Sequence, residues 1–348
     1  MTAAPDPRAQ GQPDPGTAAA SVQVFDVVVR RVQDLGPHFR RITFSGPALA
    51  RLGVPEPCLD LRIKIILPTP GHRLSLPGEP GSRLAQGWYR QWLRLEQPGR
   101  GAIRSYTVRR IRPGPAGPEL DVDFVLHHAD GGSGPGSTWA RAATPGTGAV
   151  FIGPTEEAAE GADAPGNCGI TWYPGAARRV MLAGDETAVP AISAILEALP
   201  DGFTGHALLE VPHPGDFQHI STRSAVRIRW LARSDAGARR HGELLQAALR
   251  TAVSGSLESA PEATHADQLL PPAPGLSRTK ARAVCTGRNH AAGMPEYAWL
   301  AGEAGMVMEM RRYLLQDTGM DRRQVTFRGY WSLGRAGSGV NGIPVRHQ

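Results

Sequence analysis

The interpretation of this 348-residue chain begins at the stretch Arg104-Ser105-Tyr106-Thr107-Val108-Arg109. Side chains on a strand alternate between two faces, so Arg104 and Tyr106 point the same way. Ser105 and Thr107 point the opposite way. A guanidinium beside an aromatic ring can bind a phosphate and stack on a flat ring system, as a flavin dinucleotide requires. Taken alone, however, the run fits an ordinary half-buried strand with a packed tyrosine better.

The length and composition allow two domains of ordinary size. Of the 348 residues, 41% are hydrophobic, which is enough for two buried cores. Residues 1–20 are rich in Pro, Gly and Ala and predict a disordered tail, and residues 335–348 predict a second tail. No secretion signal and no apolar run long enough to cross a bilayer is visible, so we expect a cytoplasmic protein without a membrane span.

The charge and the cysteines exclude several function classes. The net charge is +6, but the basic residues are spread along the chain without a nucleic-acid-binding motif, so we expect no nucleic-acid partner. Cys58, Cys168 and Cys285 lie far apart without a C-x-x-C spacing. This argues against an iron–sulfur cluster, a structural zinc site and a disulfide framework. We expect a monomer without a bound metal, whose mild positive field suits an anionic small ligand.

Residues 21–175 have the pattern of an all-β domain. Alternating or β-branched runs, separated by Gly and Pro, predict six short strands and hence a small antiparallel barrel. The strands are expected at 22–29, 39–44, 61–67, 104–109, 120–127 and 149–152. The segment 71–101 contains several Pro and Gly and predicts a long loop.

Residues 176–334 have the pattern of a parallel α/β domain. Short apolar strands at 180–183 and 297–301 are each followed by a glycine-containing turn and a helical pattern. Further strands are expected at 207–211, 226–231 and 325–330. The segment 251–294 is rich in Ala, Pro, Ser and Gly and has little periodicity, so we predict a mobile insertion there.

A glycine-rich loop follows the strand that ends near His127. A short helix starting near Ser137 would direct free N–H groups at an anion, and Thr138 and Trp139 would follow in its first turn. A flexible surface turn explains the same sequence about equally well. For His127, a structural or cofactor-contacting role is favoured over metal ligation, because no carboxylate or cysteine accompanies it at ligand spacing.

Two strand-to-helix turns carry acidic residues where α/β sheets bind ligands. They are Gly184-Asp185-Glu186-Thr187-Ala188, with Pro190 in the first helical turn, and Gly302-Glu303-Ala304. The acidic residues could simply cap their helices. Two such turns on one sheet could instead flank a single nicotinamide dinucleotide.

The segment 60–65 places two cations on one face of a predicted strand. Arg62 and Lys64 alternate with apolar residues, and a solvated strand face is the default explanation. If that face borders a flavin, Arg62 and Lys64 would attract an anionic oxidant.

The order of these motifs resembles that of a known family. The barrel with R-S-Y-T-V-R is followed by H-x-A-D-G and G-S-T-W-A, then L-A-G-D-E-T-A-V-P-A-I, W-L-A-G-E-A-G and G-Y-W. Together they resemble the siderophore-interacting protein family, cytoplasmic FAD-dependent ferric-siderophore reductases related to ferredoxin–NADP reductases. The resemblance covers residues 22–334. It implies an N-terminal antiparallel Greek-key β-barrel that binds FAD and a C-terminal Rossmann-like parallel α/β domain that binds NADPH or NADH.

The resemblance also implies roles for individual residues. Arg104 would bind the FAD phosphates, Tyr106 would stack on the isoalloxazine, and Thr107 would bond near its reactive nitrogen. Lys64, with Arg62, would lie at the siderophore pocket. The other expected cofactor contacts are Ser105, Val108, His127, Ser137, Thr138, Trp139, Gly184, Asp185, Glu186, Thr187, Ala188, Pro190, Gly302, Glu303, Ala304 and the C-terminal aromatic pair Tyr330 and Trp331.

The implied reaction is hydride transfer from NAD(P)H to FAD, followed by single-electron transfer to ferric iron held in a siderophore. Two alternatives stay open at this point. One is a flavin oxidoreductase with another electron acceptor, and the other is a siderophore-binding protein without redox chemistry. Arg233, after the strand expected at 226–231, could read the 2′-phosphate of NADPH, but the residues do not choose between the two dinucleotides.

Overall fold

A computed structural model describes residues 22–115, 117–127, 134–160, 169–236, 240–255 and 295–334. These residues form one antiparallel and one parallel sheet. The predicted tails at 1–20 and 335–348, and residues 256–294 of the predicted insertion, lie outside them. No helix among the described ranges is long and apolar enough to cross a membrane.

Seven antiparallel strands build the N-terminal sheet, in the order β4-β3-β7-β1-β2-β6-β5. They are β1 (Val22–Gly36), β2 (Phe39–Ser45), β3 (Arg62–Leu67), β4 (Ala102–Thr107), β5 (Arg110–Arg112), β6 (Glu119–Val125) and β7 (Gly148–Pro154). The sheet curls until β4 meets β6, where the Arg109 N–H donates to the Asp121 carbonyl at 2.9 Å. This confirms the predicted barrel and adds the short strand β5, which its three residues were too few to signal.

The barrel core is aromatic. Phe25, Phe44, Phe124 and Phe151 are fully buried, and the rings of Phe44 and Phe151 meet edge to face at 4.8 Å. Along β1, buried Phe25, Val27 and Val29 alternate with exposed residues, which is the two-residue period that predicted the strand. Burying one such side chain contributes about 1.5–3 kcal/mol.

The segment 71–101, predicted as a long loop, contains the short helix α1 (Trp88–Leu93). Its Trp92 is buried against Ile66, Ile103 and Ile152 on the outer face of the barrel. The loop is therefore packed onto β3, β4 and β7. Two further helices, α2 (Pro135–Ala142) and α3 (Glu156–Glu160), flank β7 in the chain.

Five parallel strands build the C-terminal sheet, in the order β10-β9-β8-β11-β12. They are β8 (Arg179–Gly184), β9 (Thr204–Val211), β10 (Ala225–Ala232), β11 (Tyr297–Glu303) and β12 (Val325–Trp331), with helices α4 (Val189–Ala198), α5 (Glu243–Val253) and α6 (Ala304–Arg312). The predicted parallel α/β domain is confirmed. Residues 251–253, assigned to the insertion, form the last turn of α5, whose buried Leu245, Ala248, Leu249 and Ala252 follow a helical period.

The connection between the two sheets is anchored by one buried carboxylate. Asp60, fully buried in the barrel, accepts hydrogen bonds from the N–H groups of Thr171 and Trp172. The Thr171 hydroxyl in turn accepts from the indole of Trp299 on β11 at 3.1 Å. These bonds tie β11 of the parallel sheet to the residues that precede β3 of the barrel.

Candidate functional site

The barrel side of the site is formed by β4. The Arg104 guanidinium donates to the Ile103 carbonyl at 2.8 Å and has no carboxylate partner among the described residues. Ser105 is exposed. The Tyr106 ring packs against Phe124, with the ring centroids 4.3 Å apart, and burial raises the pKa of its phenol. Arg104 can therefore bind an anion, while Phe124 occupies one side of the Tyr106 ring.

The first turn of α2 faces Tyr106. A Cβ added at Gly136 would lie 2.0 Å from the Tyr106 hydroxyl, so only glycine allows this approach. Ser137 is 4% exposed, and its hydroxyl has no hydrogen-bond partner within the described part of the chain. The helix begins at Pro135, close to the predicted position, and no side chain caps its N-terminus. Free N–H groups and an unused buried hydroxyl suit a phosphate.

These features fit the phosphates and ring of a flavin dinucleotide. Arg104, Ser137 and the N-terminus of α2 supply donors that no carboxylate of the described residues occupies, and Tyr106 supplies an aromatic face. Trp139, predicted as a cofactor contact, stacks on Phe44 at 6.1 Å and tilts against Phe124 at 5.6 Å. It anchors α2 to the barrel core.

Thr107 lies where the two domains meet. It is 6% exposed, pairs in register with Arg62 of β3, and faces the Tyr330 hydroxyl at a geometry short of a hydrogen bond. Burial raises the pKa of Tyr330. Thr107 thus lies between β4 of the barrel and the last strand of the parallel sheet.

Three cations lie at the outer face of the barrel: Arg62, Lys64 and Arg328. Lys64 is paired in register with Ser105, and its Nζ sits 5.8 Å from the centre of the Tyr89 ring. Arg328 of β12 lies near Arg62, and its Nε is buried without a hydrogen-bond partner among the described residues. Burial and the charge of Arg62 lower the pKa values of Lys64 and Arg328. No carboxylate within the described ranges forms an ion pair with any of the three.

The opposite wall of the site is the carboxyl edge of the parallel sheet, organised by Asp185. This residue is fully buried, and one carboxylate oxygen accepts from both the N–H and the hydroxyl of Thr187. The other accepts from the Glu303 N–H at 2.7 Å and from the Trp331 indole N–H at 3.0 Å. Gly302 has a φ of +136°, and a Cβ there would lie 2.6 Å from the Asp185 carboxylate. Both predicted turns therefore meet at Asp185.

Glu186 is occupied by an ion pair. Arg233 donates to both of its carboxylate oxygens, at 2.9 and 3.1 Å, and also to Glu210 at 3.2 Å. Glu186 is 3% exposed and Glu210 is fully buried. Burial opposes ionisation of Glu186, but His241 and Arg233 outweigh it and lower its pKa to about 2. The guanidinium of Arg233 is therefore already neutralised by carboxylates.

Glu303 caps a helix, which was the simpler of its two interpretations. Its carboxylate accepts from the Met306 N–H at 2.8 Å, in the first turn of α6, and from the Leu333 N–H at 3.1 Å. Ala304 is the first residue of that helix.

Two family models match the chain, one in each domain. The model of the siderophore-interacting FAD-binding domain matches residues 28–158, and the model of the siderophore-interacting protein matches residues 177–334. The chain belongs to the siderophore-interacting protein family.

Individual relatives agree with this assignment. The ferric vibriobactin reductase of Vibrio cholerae is 34% identical over 196 residues, which are 56% of this chain and 60% of that protein. The crystal structure of a siderophore utilization protein from T. fusca superimposes with a TM-score of 0.60 at 25% identity, over 90% of this chain and 95% of the other. The ferredoxin-NADP+ reductase of Plasmodium falciparum has the same fold, with a TM-score of 0.51 at 10% identity over 88% and 96% of the two chains. The fold is of the ferredoxin-reductase type.

The remaining predicted residues lie at several places in this family member. His127 at the end of β6 lies 6.1 Å from the Trp331 ring, so barrel and sheet approach each other there. Burial lowers the pKa of His127. Val108 is buried in the barrel core, and Ala188 and Pro190 are buried where α4 begins. Gly184 ends β8, while Thr138 lies in α2.

His241 was not among the predicted site residues. Its Nε2 lies 3.4 Å from Asp185 and 3.7 Å from Glu186, and its ring meets Trp331 edge to face at 5.1 Å. Burial disfavours its charge, but the two carboxylates outweigh it and raise its pKa. Nothing in the sequence around His241 signals this position, because the contact depends on how the loop before α5 folds back onto β8.

Asp185, Glu186 and His241 have the composition of a metal site, with ligand atoms within 4.8 Å of one another. The carboxylate oxygens of Asp185 and Glu186 already accept hydrogen bonds. Asp185 accepts from three residues and Glu186 is paired with Arg233, whose positive charge opposes a cation. The three residues form a hydrogen-bonded and ion-paired cluster whose chemistry does not suit a metal ion.

Proposed function

We propose that this protein is an NAD(P)H-dependent, FAD-containing ferric-siderophore reductase. The observation that carries the proposal is the position of Thr107 on β4, beside three cations that have no carboxylate partner among the described residues. FAD, when bound, would accept two electrons from NAD(P)H and release them singly, so that one NAD(P)H reduces two ferric ions and one proton is released.

The residues of the barrel would bind and orient FAD. Arg104 of β4 and Ser137 of α2 would bind its phosphates, because both offer polar donors that no carboxylate among the described residues occupies. Tyr106 would contact the ring system, held in place by Phe124 and Gly136. Thr107 would offer its hydroxyl at the edge of the ring. The expected effect is a flavin fixed between the two domains and shielded from water by Tyr330 and Trp331.

The carboxyl edge of the parallel sheet would bind the nicotinamide dinucleotide. Open α/β sheets bind ligands at this edge, and the turns at Asp185 and Gly302 lie there on neighbouring strands β8 and β11. The ferredoxin-reductase type of fold supports the same placement. Arg233 offers little to a 2′-phosphate, because Glu186 and Glu210 already neutralise it.

The cationic face would bind the ferric siderophore. Arg62, Lys64 and Arg328 repel one another, and an anionic ligand would relieve that repulsion. The V. cholerae relative is a ferric vibriobactin reductase by name, which supports this substrate class. We further propose that the protein acts in the cytoplasm as a monomer, which cell fractionation and size-exclusion chromatography would test.

The decisive experiment starts from the purified protein and its visible spectrum. Anaerobic addition of NADH or NADPH should bleach the flavin, and a ferric siderophore should restore it, with a ferrous-specific chelator reporting two ferrous ions per dinucleotide. A protein that neither contains nor binds FAD contradicts the proposal. Flavin that is reduced by the dinucleotide but not reoxidised by any ferric siderophore indicates another acceptor.

Variants of the cationic face provide the matched comparison. Lys64→Gln and Arg328→Gln should weaken reoxidation by an anionic ferric complex about tenfold each while leaving flavin reduction unchanged. Arg323→Gln is the control, since Arg323 is 86% exposed and, among the described residues, pairs only with Asp321. An equal loss in all three variants would count against this face.

A further inference from the structure

The short helix α1 brings an aromatic side chain to the edge of the cationic face formed by Arg62, Lys64 and Arg328. Tyr89 of α1 is half-buried, and the Nζ of Lys64 lies 5.8 Å from the centre of its ring. Residues three apart on a helix share a face, so Tyr89 also stacks on Trp92, with ring centroids 5.8 Å apart and planes 17° apart. The ring of Tyr89 therefore lies between the packed part of α1 and the cations.

Strand β3 fixes where this ring lies relative to the cationic face. Side chains of alternate residues share one face of a strand, so Arg62, Lys64 and Ile66 form a row with about 7 Å between neighbours. Ile66 belongs to the apolar cluster under α1, and Lys64 lies against the Tyr89 ring. Arg62, one step further along the row, pairs in register with Thr107 of β4. A ligand that spans Arg62 and Lys64 therefore reaches the ring of Tyr89.

The packing of α1 onto the barrel does not by itself need an aromatic ring at position 89. Trp92 is 4% exposed and fills the apolar cluster with Ile66, Ile103 and Ile152. A leucine or methionine at position 89 would cover Trp92 as well. A half-buried aromatic ring beside cations instead suits a ligand that presents both negative charge and flat apolar groups.

We propose that Tyr89 is a specificity-determining residue of the acceptor site and stacks on siderophores whose chelating arms carry aromatic rings. The inference rests on the proposed function, since it takes the cationic face as the binding site of the ferric siderophore. An aromatic pair contributes binding free energy beyond the area that it buries. Aliphatic chelating arms gain no such contact, so the site discriminates in favour of aromatic siderophores.

Gallium(III) complexes test this inference without electron transfer, because Ga3+ resembles Fe3+ in charge and size but is not reduced by a flavin. The probes are gallium tris(benzohydroxamate) and gallium tris(acetohydroxamate). Both are neutral and use the same chelating group, so they differ only in carrying phenyl rings or methyl groups. Calorimetry on the purified full-length protein, loaded with FAD, should give about fivefold tighter binding of the benzohydroxamate complex, as for one aromatic contact.

Variants of Tyr89 should change this preference selectively. Tyr89→Leu should weaken binding of the benzohydroxamate complex about fivefold and change that of the acetohydroxamate complex by less than twofold. Tyr89→Phe keeps the ring and should keep the preference. Tyr89→Met, which also lacks a ring, decides if Tyr89→Leu does not fold.

Tyr313→Leu is the matched control. Tyr313 is also half-buried beside a cation, with the Arg250 guanidinium 4.1 Å from the centre of its ring, but it follows α6 in the C-terminal domain. The preference should survive this substitution. An unchanged protein that binds both complexes equally overturns the inference. So does a preference that survives in Tyr89→Leu or is lost equally in Tyr313→Leu.

The outcomes separate this inference from the proposed function. If the preference depends on Tyr89 but the reduced flavin transfers no electron to the ferric complexes, the proposed function fails and the binding inference holds. If the ferric complexes are reduced but the preference does not depend on Tyr89, only the inference fails.

Discussion

Arg109 and Glu197 form a bidentate ion pair across the domain boundary. The guanidinium, which follows β4 and is 7% exposed, donates to the two carboxylate oxygens of α4 at 2.8 and 2.5 Å. The segment that follows β4 is thereby fixed to α4, the helix that follows the turn at Asp185.

Breaking this pair should cost stability. Arg109→Gln removes the buried guanidinium that donates to both oxygens of Glu197, and we expect the free energy of unfolding to fall by about 2 kcal/mol or more. Chemical denaturation would measure it. Arg110→Gln is the matched control, because Arg110 is 59% exposed and lies 3.7 Å from the same carboxylate. Its loss should cost less than about 0.5 kcal/mol, and equal losses would contradict the distinct role of Arg109.

Ser137 should contribute to flavin affinity without contributing to stability. Its buried hydroxyl has no partner among the described residues, so Ser137→Ala removes no hydrogen bond from the flavin-free protein. We expect FAD binding to weaken about tenfold, as for a lost bond to a charged phosphate. Ser193→Ala is the control, because that serine is also buried without a partner but lies in α4. Fluorescence titration with FAD would show whether the two variants differ.

The approach of Tyr106 to Gly136 should be testable by a rescue. Gly136→Ala places a methyl group 2.0 Å from the tyrosine hydroxyl and 3.3 Å from the ring carbon that bears it, so we expect the ring to move and FAD affinity to fall. Tyr106→Phe removes the atom that clashes. The combination Gly136→Ala/Tyr106→Phe should therefore bind FAD more tightly than Gly136→Ala alone. Equal FAD affinity of the single and double variants would show that the clash with the Tyr106 hydroxyl is not the cause of the weaker binding.

Arg233 should act on stability rather than on the choice of dinucleotide. Arg233→Gln leaves Glu186 and Glu210 buried without their shared cation, and we expect a loss of about 3 kcal/mol in the free energy of unfolding. The ratio of kcat/KM for NADPH to that for NADH should stay within about twofold. A selective loss of activity with NADPH would instead show that Arg233 reads the 2′-phosphate.

Local sequence patterns were sufficient to predict the strands and helices of this fold. They also predicted those site residues whose position depends only on their own strand or turn. The alternation at Arg104 and Tyr106, and the strand-to-helix turns at Asp185 and Gly302, could be predicted because strand period and helix start are local properties. The packing of Trp139 into the barrel core could not, since a tryptophan at a helix start suits both a cofactor and a core.

Contacts between residues that are far apart in the chain could not be predicted from the sequence. Glu186 was expected to face the dinucleotide, yet Arg233, 47 residues away, takes both of its oxygens. Arg328 and His241 carry no local signal at all. Each acquires its role only when β12 or the loop before α5 is placed against another strand, which depends on the packing of the whole domain.

The charge of Asp185 should make stability depend on pH between about 4 and 7. Burial, and then the charge of Glu186, raise the pKa of Asp185 from 3.8 to about 6, while His241 opposes the shift. Between about pH 4 and 6, the Asp185 carboxyl is therefore protonated in the folded protein and ionised in the unfolded chain. The stabilisation is complete below about 4 and is lost as the pH rises through 6, by about 3 kcal/mol in total. Glu186, with its pKa lowered to about 2, changes stability only below about 4.5 and in the opposite direction.

Asp185→Asn isolates this effect, because asparagine does not titrate. We expect the free energy of unfolding of the unchanged protein, minus that of the variant, to decrease as the pH is raised from 4.5 to 7.5 in urea titrations. The groups facing Asp185 are Glu186, His241 and the Trp331 indole, with Arg233 behind Glu186. His241→Gln in parallel should move the decrease to higher pH, since the cation that favours the ionised carboxylate is gone. A difference that is flat or increases with pH contradicts a raised pKa at Asp185.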